Sequence, residues 1–280
     1  DLFKNASLAV SSKNYVQATV YLSQYIQNNP TGSRLDEAYL KLGMNSVKAG
    51  DKQSAFQAYQ QILQRPENKY AKDACILLGG LALSLKSTYV DSAIDTLKES
   101  PSLTISNQTT GGLIQTYIGF LYLHGKVPKT PGGKLTTGYA NLADQSSCRW
   151  GIEECRRVRM LYPNADRYDL ARSSLMEVEG YCRFDDETTV IDLAKQLITN
   201  YPDQKKSCCY AQFIIGRSYE NMNDTQNALQ GYQAVLDNYT IADNITSADD
   251  LIALALYRKA QCLIRLNQID KACAALSNII

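Results

Sequence analysis

The residues best placed to do chemistry crowd into "HGKVPKTPGGKLTTGY", residues 124–139. A glycine pair, a lysine and neighbouring threonines suit a phosphate, because backbone N–H groups cradle it and the ammonium neutralises it. That chemistry requires Gly-x-x-x-x-Gly-Lys-Ser/Thr between a strand and a helix. Here Lys134 is followed by Leu135, the upstream glycine is misplaced, and the preceding "TGGLIQTYIGFLYL" has a helical pattern. A nucleotide site is therefore not expected. The stretch reads as a loop inserted into a more regular array, with Lys126, Lys129 and Lys134 as candidate contacts or as part of a bland excursion. His124 is the only histidine of the chain. It has no cysteine or carboxylate beside it in sequence, so no Ser-His-Asp or Cys-His set is legible, and it reads as a helix-end residue. "FDDE" at 184–187 places carboxylates at a helix start, where they favour capping over catalysis. No catalytic residue is expected, and the chain reads as a non-enzyme.

Eight cysteines and one histidine form no zinc pattern, since no Cys-x-x-Cys pair exists. No metal and no cofactor are expected. Cys208 and Cys209 are adjacent, a poor geometry for a bridge. Cys148 and Cys155 would lie about 10 Å apart on one helix, too far to join. Bridges between helices remain open, as Cys148–Cys182 and Cys262–Cys273. The alternative is that the cysteines pack as small buried hydrophobes.

Charge is balanced, 29 basic against 28 acidic residues. Nucleic-acid binders need a basic excess, so that class is not expected. No apolar run is long enough to span a membrane, and "ACILLGGLALSL" reads as a buried helix. The sequence starts at Asp1, which reads as processing or trimming, and finishes on the apolar "AALSNII".

The elements that position these residues follow a rhythm. Pro30, Pro66 and Pro101 are 36 and 35 residues apart, and Pro163 and Pro202 are 39 apart. Periods in the mid-thirties mark helix-turn-helix repeats. The fullest unit is "SCCYAQFIIGRSYENMNDTQNALQGYQAVLDNY". It holds Gly216, Tyr219, Ala228, Tyr232 and Val235 at helical spacing around the polar turn "NMNDTQ". A second unit holds Gly43, Ala55, Tyr59 and Pro66, and others keep Ala6, Ala18 and Pro30, or Ala194 and Pro202, or Ala260 and Ala272.

This alternation of small and aromatic residues with a closing proline resembles the tetratricopeptide repeat, of about 34 residues. The resemblance covers nearly the whole chain as about seven helical hairpins. Their approximate units are 1–32, 33–68, 69–103, 104–165 with the inserted loop at 126–136, 166–204, 205–242 and 247–280. It implies an all-α, right-handed superhelical solenoid whose first helices line a concave face. The "YP" endings are similar to those of bacterial envelope members. An extracytoplasmic location is then expected, with the cytoplasm as the alternative.

Such an array implies a scaffold that binds a protein or peptide partner on its concave face. In the repeat register that face carries Tyr210, Phe213, Arg217, Glu220 and Asn221, then Tyr257, Arg258, Gln261 and Arg265, and near the start Glu37, Lys41 and Lys48. Arg217, Arg258 and Arg265 are suited to a carboxylate or an acidic peptide, ordinary solvated charge being the alternative. The Lys/Asn clamp of chaperone-binding members is not reproduced. "CRRVRM" beside Trp150 reads as a solvated face or an anion site. A second expectation is end-to-end self-assembly into a filament, with "AALSNII" packed on a neighbour's "DLFKNASLAV". Asn5, Asn107, Asn223, Asn238 and Asn244 sit in Asn-x-Ser/Thr and would be glycosylated in an exported chain.

Overall fold

The computed structural model describes residues 1–65, 68–85, 87–125, 142–240 and 251–277. Every regular element among them is an α-helix. In chain order they are α1 (Leu2–Ser11), α2 (Tyr15–Asn28), α3 (Leu35–Lys48), α4 (Lys52–Leu63), α5 (Ala71–Ser84), α6 (Ser87–Lys98) and α7 (Gln108–His124). Then follow α8 (Leu142–Leu161), α9 (Arg167–Tyr181), α10 (Glu187–Asn200), α11 (Lys205–Asn221), α12 (Thr225–Asn238), α13 (Leu251–Arg265) and α14 (Ile269–Ser277). None is long and apolar enough to cross a membrane. The chain forms two compact units, Asp1–Pro128 with Arg157–Asp166, and Lys129–Arg156 with Arg167–Ile280.

One turn recurs inside the hairpins. Lys13, Gly50, Asp185 and Asn223 adopt positive φ, at 58°, 85°, 55° and 61°. Each is followed at once by a capping residue: Asn14, Asp51, Asp186 or Asp224. That side chain accepts from the N–H three residues on, at 3.1, 3.0, 3.2 and 3.1 Å. The left-handed residue reverses the chain and the cap satisfies an orphan donor of the next helix, for about 1 kcal/mol each. Asp186 confirms the capping role expected for "FDDE".

Glycine–tyrosine pairs set how closely paired helices approach. A Cβ on Gly43 of α3 would meet the Tyr59 ring of α4 at 2.3 Å, and one on Gly216 of α11 would meet the Tyr232 ring of α12 at 2.8 Å. The spacing is sixteen residues both times. Tyr59 and Tyr232 are among the largest fully buried side chains. In the first unit a core runs from Ala55, Phe56 and Tyr59 through Leu78, Leu97 and Ile114 to Leu121. In the second, Cys209, Phe213, Tyr232, Val235 and Cys262 pack together. Burying such side chains is worth about 1.5–3 kcal/mol each and supplies most of the helical stability.

Candidate interaction cleft

Within the second unit, the first helices of successive hairpins touch: α9 packs on α11, and α11 on α13. Their shared face encloses a cleft of about 590 Å³. Six of the residues expected on the concave face line it: Tyr210, Arg217, Glu220, Asn221, Arg258 and Arg265. Glu220 is the anchor. Its Oε1 lies 3.0 Å from Arg265 Nη1 and 3.6 Å from Arg258 Nη1, and its side chain is only 9% exposed. Its Oε2 accepts 2.8 Å from the Tyr232 hydroxyl. One carboxylate thus ties the core of its own hairpin to two arginines of α13.

Arg217 is held differently. Its Nη2 donates to Cys182 Sγ at 3.2 Å. A thiol is a weak acceptor, and a guanidinium carries five N–H donors. No carboxylate among the described residues lies within ion-pair distance of it, although Glu187 acts on it from farther away. Burial pushes the Cys182 thiol up to about 11, against the pull of Arg217, so the sulfur stays protonated at neutral pH. Burial, reinforced by Glu179, also raises Tyr210 above the ordinary tyrosine range. Asn221 donates to Glu187 Oε1 at 2.6 Å on the rim.

Other expected residues fall elsewhere. Phe213 is 5% exposed and packs on Tyr232 with ring centroids 5.5 Å apart, so it belongs to the core. Three residues before Gly216, it faces the partner helix of its own hairpin rather than the cleft. Tyr257 is exposed and accepts from Gln261 at 2.9 Å, and neither lines the cleft. Glu37 bridges Arg34 and Lys41, each at 3.0 Å, and the Arg34 guanidinium beside it holds its carboxyl below the usual range. Lys41 and Lys48 flank a small hollow of about 260 Å³ over Phe3, Val10 and Met44. Lys126, Lys129, Lys134 and Asn244 lie outside the described residues. His124 ends α7, its ring 4.8 Å from that of Phe120.

The structure does not form the two expected disulfides; all eight cysteines are thiols. Cys148 Sγ donates to the Gly180 carbonyl at 3.5 Å, while Cys182 faces Arg217. Cys262 is buried in the α11–α13 core and Cys273 is exposed on α14. In "CRRVRM", Arg156 bonds Glu177 and Tyr181, each at 2.6 Å, so it is committed to packing α8 on α9. Asn5, Asn107, Asn223 and Asn238 are all exposed; Asn107 caps α7 and Asn223 takes the left-handed position of its turn. Among the described residues no group of His, Cys, Asp and Glu is arranged to hold a metal. The sequence did not single out Glu179 or Arg183, which line the cleft from the neighbouring hairpin, and it read Asp185 only as part of a capping cluster. No periodicity within one repeat could reveal them, because the packing of one repeat on the next brings them in.

The sequence model of the tetratricopeptide repeat matches residues 37–68, 210–240 and 254–280. No curated protein sequence matches the chain. Among solved structures it is similar to a tetratricopeptide repeat protein from Parabacteroides merdae ATCC 43184, at 12% identity and a TM-score of 0.49, covering 99% of this chain and 90% of that one. Hairpins of the same turn and the same glycine–tyrosine contact lie under two of those matches, so over these stretches the chain is similar to the tetratricopeptide repeat in both sequence and hairpin geometry.

Proposed function

We propose that the chain is a non-catalytic scaffold that docks a protein segment in the cleft of α9, α11 and α13, with Arg217 receiving a carboxylate of that segment. Tetratricopeptide repeats in general mediate protein–protein interaction. The observation that carries the finer reading is Arg217, a largely enclosed cation whose only hydrogen-bond acceptor among the described residues is a thiol. A carboxylate there would gain charge-assisted, bidentate bonds in a partly desolvated site. Arg258 and Arg265, already turned toward Glu220, would add positive potential on the α13 side. Glu179 and Asp185 on the opposite side select against a uniformly acidic surface and favour a segment of mixed charge.

Site-specific photo-crosslinking in an extract of the native source tests this. A benzophenone side chain at Asn221, on the cleft, should capture a discrete partner band. The same group at Lys52, on a helix of the other unit, should not. Bands from Lys52 alone would place the interaction elsewhere.

A further inference from the structure

A second cleft, in the first unit, has a lining of a different chemical kind. It lies over α3 between α2 and α4, the second helices of two successive hairpins, and holds about 760 Å³. Gln24 and Gln27 of α2 face Gln57, Gln61 and Gln64 of α4 across it. These five side-chain amides make no hydrogen bond to any described residue. On the floor, Tyr39 and Leu42 give a partly apolar base. Beside them lies the buried Ser46. The one ionisable carboxylate at the edge, Asp51, is occupied in capping α4.

No lysine or arginine lines this cleft. Past Gln60 and Gln64 it adjoins a hollow of about 510 Å³ whose charged residues are all acidic: Asp91, Asp95 and Glu99. Gln60 itself is spent on structure, donating to Ser92 at 3.1 Å and to Thr96 at 2.7 Å to join α4 to α6.

We propose that this amide-lined cleft binds a neutral oligosaccharide. Each glutamine offers two donors and an acceptor, the set that pairs with adjacent hydroxyls, which donate and accept in turn. Tyr39 and Leu42 would lie under the apolar faces of the sugar rings. A peptide would find no counter-charge and no deep apolar socket here, and its backbone alone would have to carry recognition. An anionic polymer would meet the carboxylates that line the adjoining hollow. The site is separate from the arginine cleft and stands or falls independently of it.

The test is calorimetric titration of the whole chain with maltohexaose, cellohexaose and chitohexaose, with oligogalacturonate as an anionic probe and a Gly/Ser peptide of similar length. At least one neutral hexasaccharide should bind with a Kd of about 1 mM or tighter. The Gln57→Ala/Gln61→Ala variant should lose about tenfold in affinity. Both positions are exposed, so helical circular dichroism and the urea midpoint should stay at wild-type values. The anionic oligosaccharide should not bind. Absence of saccharide binding, binding of the peptide alone, or saccharide affinity unchanged in the double variant would each overturn the proposal.

Discussion

Two tyrosines at equivalent places in the repeat show how one side chain serves different ends. Tyr59 and Tyr232 each fill the notch left by a glycine sixteen residues earlier. The Tyr232 hydroxyl donates to Glu220, whereas the Tyr59 hydroxyl is buried with no acceptor among the described residues. A buried hydroxyl without a partner is a cost, and one bonded to a carboxylate is a gain. Tyr59→Phe should therefore leave stability unchanged or raise it by up to about 1 kcal/mol, while Tyr232→Phe should lower it by about 1.5–3 kcal/mol. Urea denaturation of the two variants checks both; equal losses would break the distinction. Burial also pushes the Tyr59 phenol up to about 12. With the folded value above the unfolded value near 10, its neutral form supports the fold fully below about pH 10. That contribution is lost as pH climbs toward 12, so in Tyr59→Phe this part of the alkaline loss should vanish. The tyrosine and glycine positions were legible in the sequence because both repeats carry them at one spacing. Phe213 was misplaced because one helix turn separates a residue facing the groove from one facing its own hairpin.

At the scale of elements, the turn is the unit that repeats most faithfully. Asp51 and Asp224 cap their helices, and the hydrogen bonds from Ser54 and Asn227 hold their carboxyls below the usual aspartate range. A depressed folded value gives stability that is present above the unfolded pKa, near 3.9, and lost as pH falls through the lower folded value. Asp51→Asn with Asp224→Asn keeps a capping oxygen but removes the charge. Acid unfolding followed by circular dichroism should then be shallower below about pH 4 with little change at neutral pH. An unaltered acid limb would remove these caps from the account. Helices and turns were readable because capping and apolar period are local properties. The lining of the cleft was readable only in part: Arg217, Glu220 and Arg258 follow from register, but Glu179, Arg183 and Asp185 come from the preceding hairpin and turn. Cys182 was noticed for its sulfur and paired with Cys148, when its neighbour in space is Arg217.

At the scale of the whole molecule, the described helices of this charge-balanced chain present two clefts of different chemistry. The second unit contributes a cleft of mixed charge in which the Arg217 guanidinium donates to a thiol. The first contributes a neutral, amide-lined cleft of another character. The short inserted loop that first suggested phosphate chemistry does not enter either account, since residues 126–136 lie outside the described residues. Self-assembly is a separate matter, measured by light scattering of the native chain, where a single monomer mass over a wide concentration range would exclude filaments. The central claim is that Arg217 makes the decisive contact. It is tested most directly by the affinity of the crosslinked partner for wild type and for Arg217→Glu, measured in the same buffer at two salt concentrations. Charge reversal beside a partner carboxylate should weaken binding by about tenfold or more, with wild-type affinity itself falling as salt rises. Equal affinities for the two proteins, at matched urea midpoints, would contradict it.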